Sequence, residues 1–158
     1  MPCPVAGTIR EQTSAKPSLR AVSLARTETA PMTQDHPTAP LSLYERLGKR
    51  AGIDGIVRDV IAAHLANPLV KTRYEGVKDF DYLHRVSVEF FCAGSGGPEP
   101  YTGRDMISSH KGMNISEQEY LAVVDDIMTT LEKHDIDGQT RSDVVGILYS
   151  LKPQILRL

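Results

Sequence analysis

Residues 101–120 read YTGRDMISSHKGMNISEQEY, a turn-rich segment that carries a histidine, His110, and runs straight into a well-marked helix start. Ser116 with Glu119 three residues on has the form of a capping box, in which each side chain satisfies a free backbone N–H at a helix N-terminus. Ile115 before the cap and Tyr120 after the box can close over it as a hydrophobic staple. A histidine on a short segment held against an anchored helix has the fixed placement that a ligand needs. Taken alone, however, such a histidine is more often an ordinary surface or packing residue, so the flanking chain has to decide.

Downstream of Ser116, Tyr120, Val123, Val124, Ile127, Met128 and Leu131 recur at helical spacing and predict a long amphipathic helix. Asp137-Gly138 reads as the next turn and Thr140 as a cap. Val144, Val145, Ile147, Leu148 and Leu151 mark the face of a last helix, which Pro153 should bend or end. Upstream, Gly94, Gly96, Gly97, Pro98 and Pro100 break a helix predicted from about Asp79 to Ala93. Its buried side is assigned to Leu83, Val86 and Phe90, with Ser87 and Phe91 at the margin. Another helix carries Ile53, Ile56, Val57, Val60, Ile61, His64 and Leu65 on one face and stops at Asn67-Pro68. Ser42 and Glu45 form a second capping box, opening a short helix that Gly48 stops. Met106, Ile107 and His110 occupy at most two helical turns. No run reads as a strand, so the sequence predicts an all-α domain of four main helices with short connecting pieces.

The chain has 158 residues, room for one domain with a sizeable core. Eighteen Lys and Arg against 20 Asp and Glu give a formal net charge of −2, with no basic stripe for nucleic acid and no polybasic membrane anchor. Cys3 and Cys92 form no CxxC pattern, which argues against a disulfide framework or a zinc site and makes a cytoplasmic location the default expectation. No apolar run approaches membrane-spanning length. Residues 1–40 hold six prolines, Pro2, Pro4, Pro17, Pro31, Pro37 and Pro40, among many Ser and Thr, and are expected to form a disordered N-terminal extension to a folded domain at 41–158.

The segments LYERLG (43–48) and EFFCAGSGGPEPYTG (89–103), followed by M-x-x-x-H at Met106 and His110, resemble the truncated haemoglobins of group I. The resemblance covers about residues 42 to 156 and implies the two-over-two helical sandwich of a truncated globin, with haem b as cofactor and a diatomic gas (O2, CO or NO) as ligand. It implies that His110 is the proximal iron ligand, with Met106 one turn earlier packing against the porphyrin and Tyr101 in the same constellation. Phe90 and Phe91 fall at haem-facing and core aromatic positions, and Tyr74 replaces the phenylalanine that wedges the haem. Each of these aromatics is equally well explained as ordinary core. Oxygen binding or transport, a reductase partner and nitric oxide dioxygenation are further implications of the family.

The distal positions depart from the family pattern. Where many group I members carry a tyrosine that hydrogen-bonds the gas ligand, this chain has Ile61, preceded by Val60. The usual glutamine positions on the next helix hold Leu83 and Ser87, leaving Ser87 as the hydroxyl aimed at the pocket. A hydrogen bond to a partly charged ligand is worth roughly 1.5–3 kcal/mol, so its loss should speed oxygen release about tenfold to a hundredfold. His84, next to Leu83, becomes a donor or sixth iron ligand if the register slips by one. His64 reads as a satisfied core or edge histidine, and Tyr82 and Tyr74 can also reach inward. Lys49, Lys78 and Arg85 are candidates for pairing with haem propionates. Two other readings stay open: a six-coordinate redox or gas-sensing module, and a globin-fold interaction module without haem function.

Overall fold

A computed structural model of the chain describes residues 40–158, so the expected extension at 1–40 lies, apart from Pro40, outside the described residues. Helices run over Leu43–Arg46 (α1), Lys49–Ala66 (α2), Phe80–Gly94 (α3), Met106–His110 (α4), Glu117–Lys133 (α5) and Gly138–Leu151 (α6). Short 3-10 turns at Lys71–Tyr74 and Lys152–Gln154 follow α2 and α6. The described residues contain no strand, only an isolated bridge between Ile115 and Leu156. Helix α2 packs along both α3 and α5, and α5 along α6, which gives the two-over-two arrangement. No helix among the described residues is long and apolar enough to cross a membrane.

Local chemistry sets the helix ends. Both capping boxes form: Ser42 accepts from the Glu45 amide and Ser116 from the Glu119 amide, and each glutamate returns to the cap's backbone N–H. Gly48 adopts a φ of 79°, a left-handed turn that non-glycine residues resist, and α2 starts directly behind it at Lys49. At α6 the cap is Asp137, whose carboxylate accepts from the Thr140 amide at 3.0 Å. Thr140 is therefore a first-turn residue, fully buried, with its hydroxyl bonded to Asp137 and Arg46. Pro153 sits in the 3-10 turn that ends α6.

The core joins Leu47 with Ile53, Ile56, Val57 and Val60 of α2, Val88 and Cys92 of α3, Ile127 and Leu131 of α5, and Val144 of α6. On α3 this corrects the expected face. Val88, Glu89 and Cys92 are the buried residues, whereas Leu83, Val86, Ser87 and Phe90, spaced at helical intervals, stay only half-buried. The period of an amphipathic helix reports an apolar stripe but not which neighbour covers it. A second, smaller cluster of Ile115, Tyr120 and Val124 lies under the segment that follows α4, with Ile115 and Tyr120 placed as a staple across the α5 cap.

The fully enclosed Ile53 should be costly to truncate: Ile53→Ala is expected to lower stability by about 2–5 kcal/mol. Leu121→Ala, on a half-exposed site in α5, should change it by no more than about 0.5 kcal/mol. Urea unfolding midpoints at constant m-value check the pair.

Candidate functional site

Helix α4 has only five residues and depends on its cap, Asp105, whose carboxylate accepts from the Ser108 amide at 2.9 Å. His110 ends this helix with Nδ1 2.7 Å from the Met106 carbonyl oxygen. A carbonyl only accepts, so Nδ1 carries the proton, and in the neutral ring Nε2 keeps a lone pair for an external electrophile or metal. The chain then turns through Gly112 and Asn114, both at positive φ. The amides of Gly112 and Asn114 donate to the Leu158 carbonyl at 3.1 and 2.9 Å, and Arg157 donates back to Ile115, so the C-terminal segment pins the stretch behind His110.

A cavity of about 140 Å³ opens beside His110. Its apolar wall includes Met113, Ile115, Tyr120 and Val123, and Tyr74 from the 3-10 turn after α2 lines it too. Arg73 and Glu119 form its polar margin. The Arg73 Nε donates to Glu119 at 2.6 Å and its Nη1 to the Met113 carbonyl at 2.8 Å. Hydrogen bonds from Ser116, then the Arg73 guanidinium, pull the Glu119 carboxyl down to a pKa of about 2. Val123 and Tyr120 carry a helical pattern that sequence reasoning assigned to core, and nothing local announced Arg73.

The remaining expected site residues divide between several places. Phe90 meets Tyr101 edge to face, ring centroids 5.4 Å apart, and the Tyr101 hydroxyl donates to the Arg104 carbonyl just before α4. Leu83 and Ser87 share the half-buried α3 stripe with Phe90, while Phe91 packs against the main core. Met106 is half-buried and supplies the carbonyl that orients His110. Ile61 and His84 lie elsewhere, in a shallow groove with Arg58, Phe80 and Asp81. The His84 Nε2 is 3.3 Å from the Asp54 carbonyl of α2, so this ring faces α2 and not the His110 cavity. Lys49 and Lys78 are exposed, and Arg85 pairs with Glu89 at 2.7 Å.

Two buried polar groups hold the frame around the cavity. The Glu89 carboxylate accepts from the Thr102 amide and hydroxyl at 3.0 and 2.6 Å, fastening the loop before α4 onto α3. Those bonds, with Arg85, hold its carboxyl below the usual carboxylate range. His64, nearly sealed, donates from Nδ1 to Asp126 at 3.0 Å, and its ring lies 5.9 Å from that of Tyr74. Burial lowers its pKa despite Asp126, so it is a neutral, satisfied core histidine.

The bacterial-like globin family profile matches residues 42–157. The chain belongs to the bacterial-like globins. It is 29% identical over 116 residues to the group 1 truncated hemoglobin GlbN of Mycolicibacterium paratuberculosis, covering 73% of this chain and 85% of that protein. Against the group 1 truncated hemoglobin of Tetrahymena pyriformis it is 24% identical over 117 residues, covering 74% and 96%. The crystal structure of the Fe(III) form of the truncated hemoglobin from T. pyriformis superposes with a TM-score of 0.72 at 23% identity, over 75% of this chain and all of that one. The fold is thus that of the two-over-two truncated globins, and membership in the globin family implies a haem cofactor.

The residues present fit such a group. Among the described residues no cluster of three or more His, Cys, Asp or Glu is placed to hold a metal. Haem brings its own ring ligands to iron, so a single protein imidazole is enough to attach it. His110, with one nitrogen tied to a carbonyl and the other beside an apolar cavity, has that chemistry.

Glu119, held as a carboxylate by the Ser116 cap and then by Arg73, makes the site's margin acid-sensitive. Because the Glu119 pKa falls from 4.5 to about 2 on folding, its contribution is complete above about pH 4.5 and is lost as the pH drops through 2. Unfolding midpoints measured from pH 5 to 2 should fall along this range, and Glu119→Gln should flatten that dependence.

Proposed function

We propose that this globin binds haem b through iron held by His110 and takes up a diatomic gas on it. One observation carries the reading: the His110 Nδ1–H is committed to the Met106 carbonyl on a short capped helix, while the ring lines the apolar cavity between α5 and the Tyr74 turn. That carbonyl fixes the ring's tautomer and raises the basicity of the nitrogen left free. The half-buried stripe of Leu83, Ser87 and Phe90 offers a second apolar wall for a planar macrocycle, linked to the start of α4 through the contact of Phe90 with Tyr101. Bound there, the haem supplies a ferrous centre with an open position for O2, CO or NO. Met113, Ile115, Tyr120 and Val123 keep water away from it.

The engagement of His84 with Asp54 favours a five-coordinate resting iron over a six-coordinate one, because among the described residues no second imidazole lines the cavity. Gas binding is therefore favoured over a closed redox relay. The relatives named truncated hemoglobins accord with this reading.

Purified protein supplied with haem should show a globin Soret band that moves on addition of CO to the reduced form. His110→Ala should weaken haem retention by more than roughly a hundredfold, beyond what loss of a metal ligand's hydrogen-bond partner costs, and free imidazole should restore the spectrum. An unchanged spectrum in His110→Ala would overturn the assignment.

A further inference from the structure

Five polar side chains reach the wall of the His110 cavity: Arg73, Tyr74, His110, Glu119 and Tyr120. Four have clear engagements. Arg73 and Glu119 hold each other, Tyr120 donates its hydroxyl to the Leu148 carbonyl, and His110 donates to Met106. The Tyr74 hydroxyl makes no hydrogen bond among the described residues.

The nearby carboxylate of Asp126 is engaged by other donors and makes no hydrogen bond to it. Both oxygens of Asp126 already accept, from His64 at 3.0 Å and from Asn67 at 3.0 and 3.1 Å. Nor is the hydroxyl walled in, since the sealed side-chain polar atom that lacks a partner among the described residues is Glu99 Oε2. A hydroxyl that is neither sealed nor engaged by the protein is free to donate to an acceptor beside it. Burial, with Asp126 nearby, pushes its pKa up to about 12, which keeps it a proton donor at any physiological pH. The ring is held in place by its packing on His64, 5.9 Å between centroids.

We propose that the Tyr74 hydroxyl donates a hydrogen bond to a diatomic ligand taken up in the His110 cavity, making Tyr74 the ligand-stabilising residue of a pocket whose usual donor position holds Ile61. Ile61 lies in a different groove, Leu83 has no donor, and Ser87 is not on the cavity wall. The inference rests on haem at His110, as proposed above.

The test uses the full haem-loaded chain and three readouts: the C–O stretch of its CO adduct, the O2 dissociation rate, and the urea midpoint of the haem-free protein. Tyr74→Phe keeps the ring and its packing. It should raise the C–O stretch and speed O2 release about tenfold to a hundredfold, while leaving the haem-free midpoint unchanged or higher because no internal bond is lost. Ser142→Ala, at an exposed serine of α6 outside the cavity wall, should leave both ligand readouts alone. In the wild-type chain the C–O band should also respond to exchange into D2O, which needs no variant.

A wild-type chain with no CO-sensitive Soret band overturns both this proposal and the haem reading. If that band is present, a C–O stretch indifferent to both D2O and Tyr74→Phe overturns the role of Tyr74 alone. So does a shift of the same size in Ser142→Ala, or a haem-free midpoint that falls in Tyr74→Phe as it would on breaking an internal hydrogen bond.

Discussion

The carboxylate of Glu119 is shared between two tasks, and the geometry of the site depends on that sharing. It closes the capping box on Ser116 that starts α5, and it grips the Arg73 guanidinium, which also holds the Met113 carbonyl. One small ionic node therefore joins the turn that carries Tyr74, the chain just beyond His110 and the first turn of α5. Charge-assisted hydrogen bonds of this kind are short and directional, so they set position as well as energy. Without the node, the two walls of the His110 cavity belong to segments linked mainly by apolar packing, which tolerates sliding.

Helix α3 shows what a fold organised around an inserted group looks like before that group is considered. Its core face, His84, Val88 and Cys92, is matched to α2 and the main core. Its second stripe, Leu83, Ser87 and Phe90, is apolar enough to need cover but lies half-open. A helix that serves only as a spacer between α2 and solvent needs no second apolar stripe. The stripe fits a planar apolar partner, and the globin family to which the chain belongs implies one.

The polar character of the cavity is asymmetric. The side that carries His110 is ordered by successive short-range devices: the Asp105 cap, the bond from His110 to Met106 and the pinning of residues 112–115 by the C-terminal segment. The opposite side has lost the polar residues expected on α2 and α3, yet it is not devoid of hydroxyls, because Tyr74 stands where a phenylalanine is usual in the family the chain resembles. On the role proposed for Tyr74, the polar function moves from a helix to a turn. Such a turn can be braced only by tertiary contacts, here His64 and the Arg73–Glu119 pair.

Much of this was legible in the chain. The capping boxes at Ser42 and Ser116, the stop at Gly48 and the break at Gly94 through Pro100 act within a few residues, and local rules locate them. The run from Tyr101 to His110 carried the family resemblance for the same reason, since its turns and spacing are local. Only the tertiary structure could decide which stripe of α3 meets the core, why His84 turns to Asp54, and that Arg73 reaches Glu119 46 residues away. The Tyr74 hydroxyl belongs to that second group: its lack of a protein partner depends on what His64, Asn67 and Asp126 do with one another. Helical periodicity tells that a face is apolar, but the identity of its neighbour is settled by packing between segments distant in sequence.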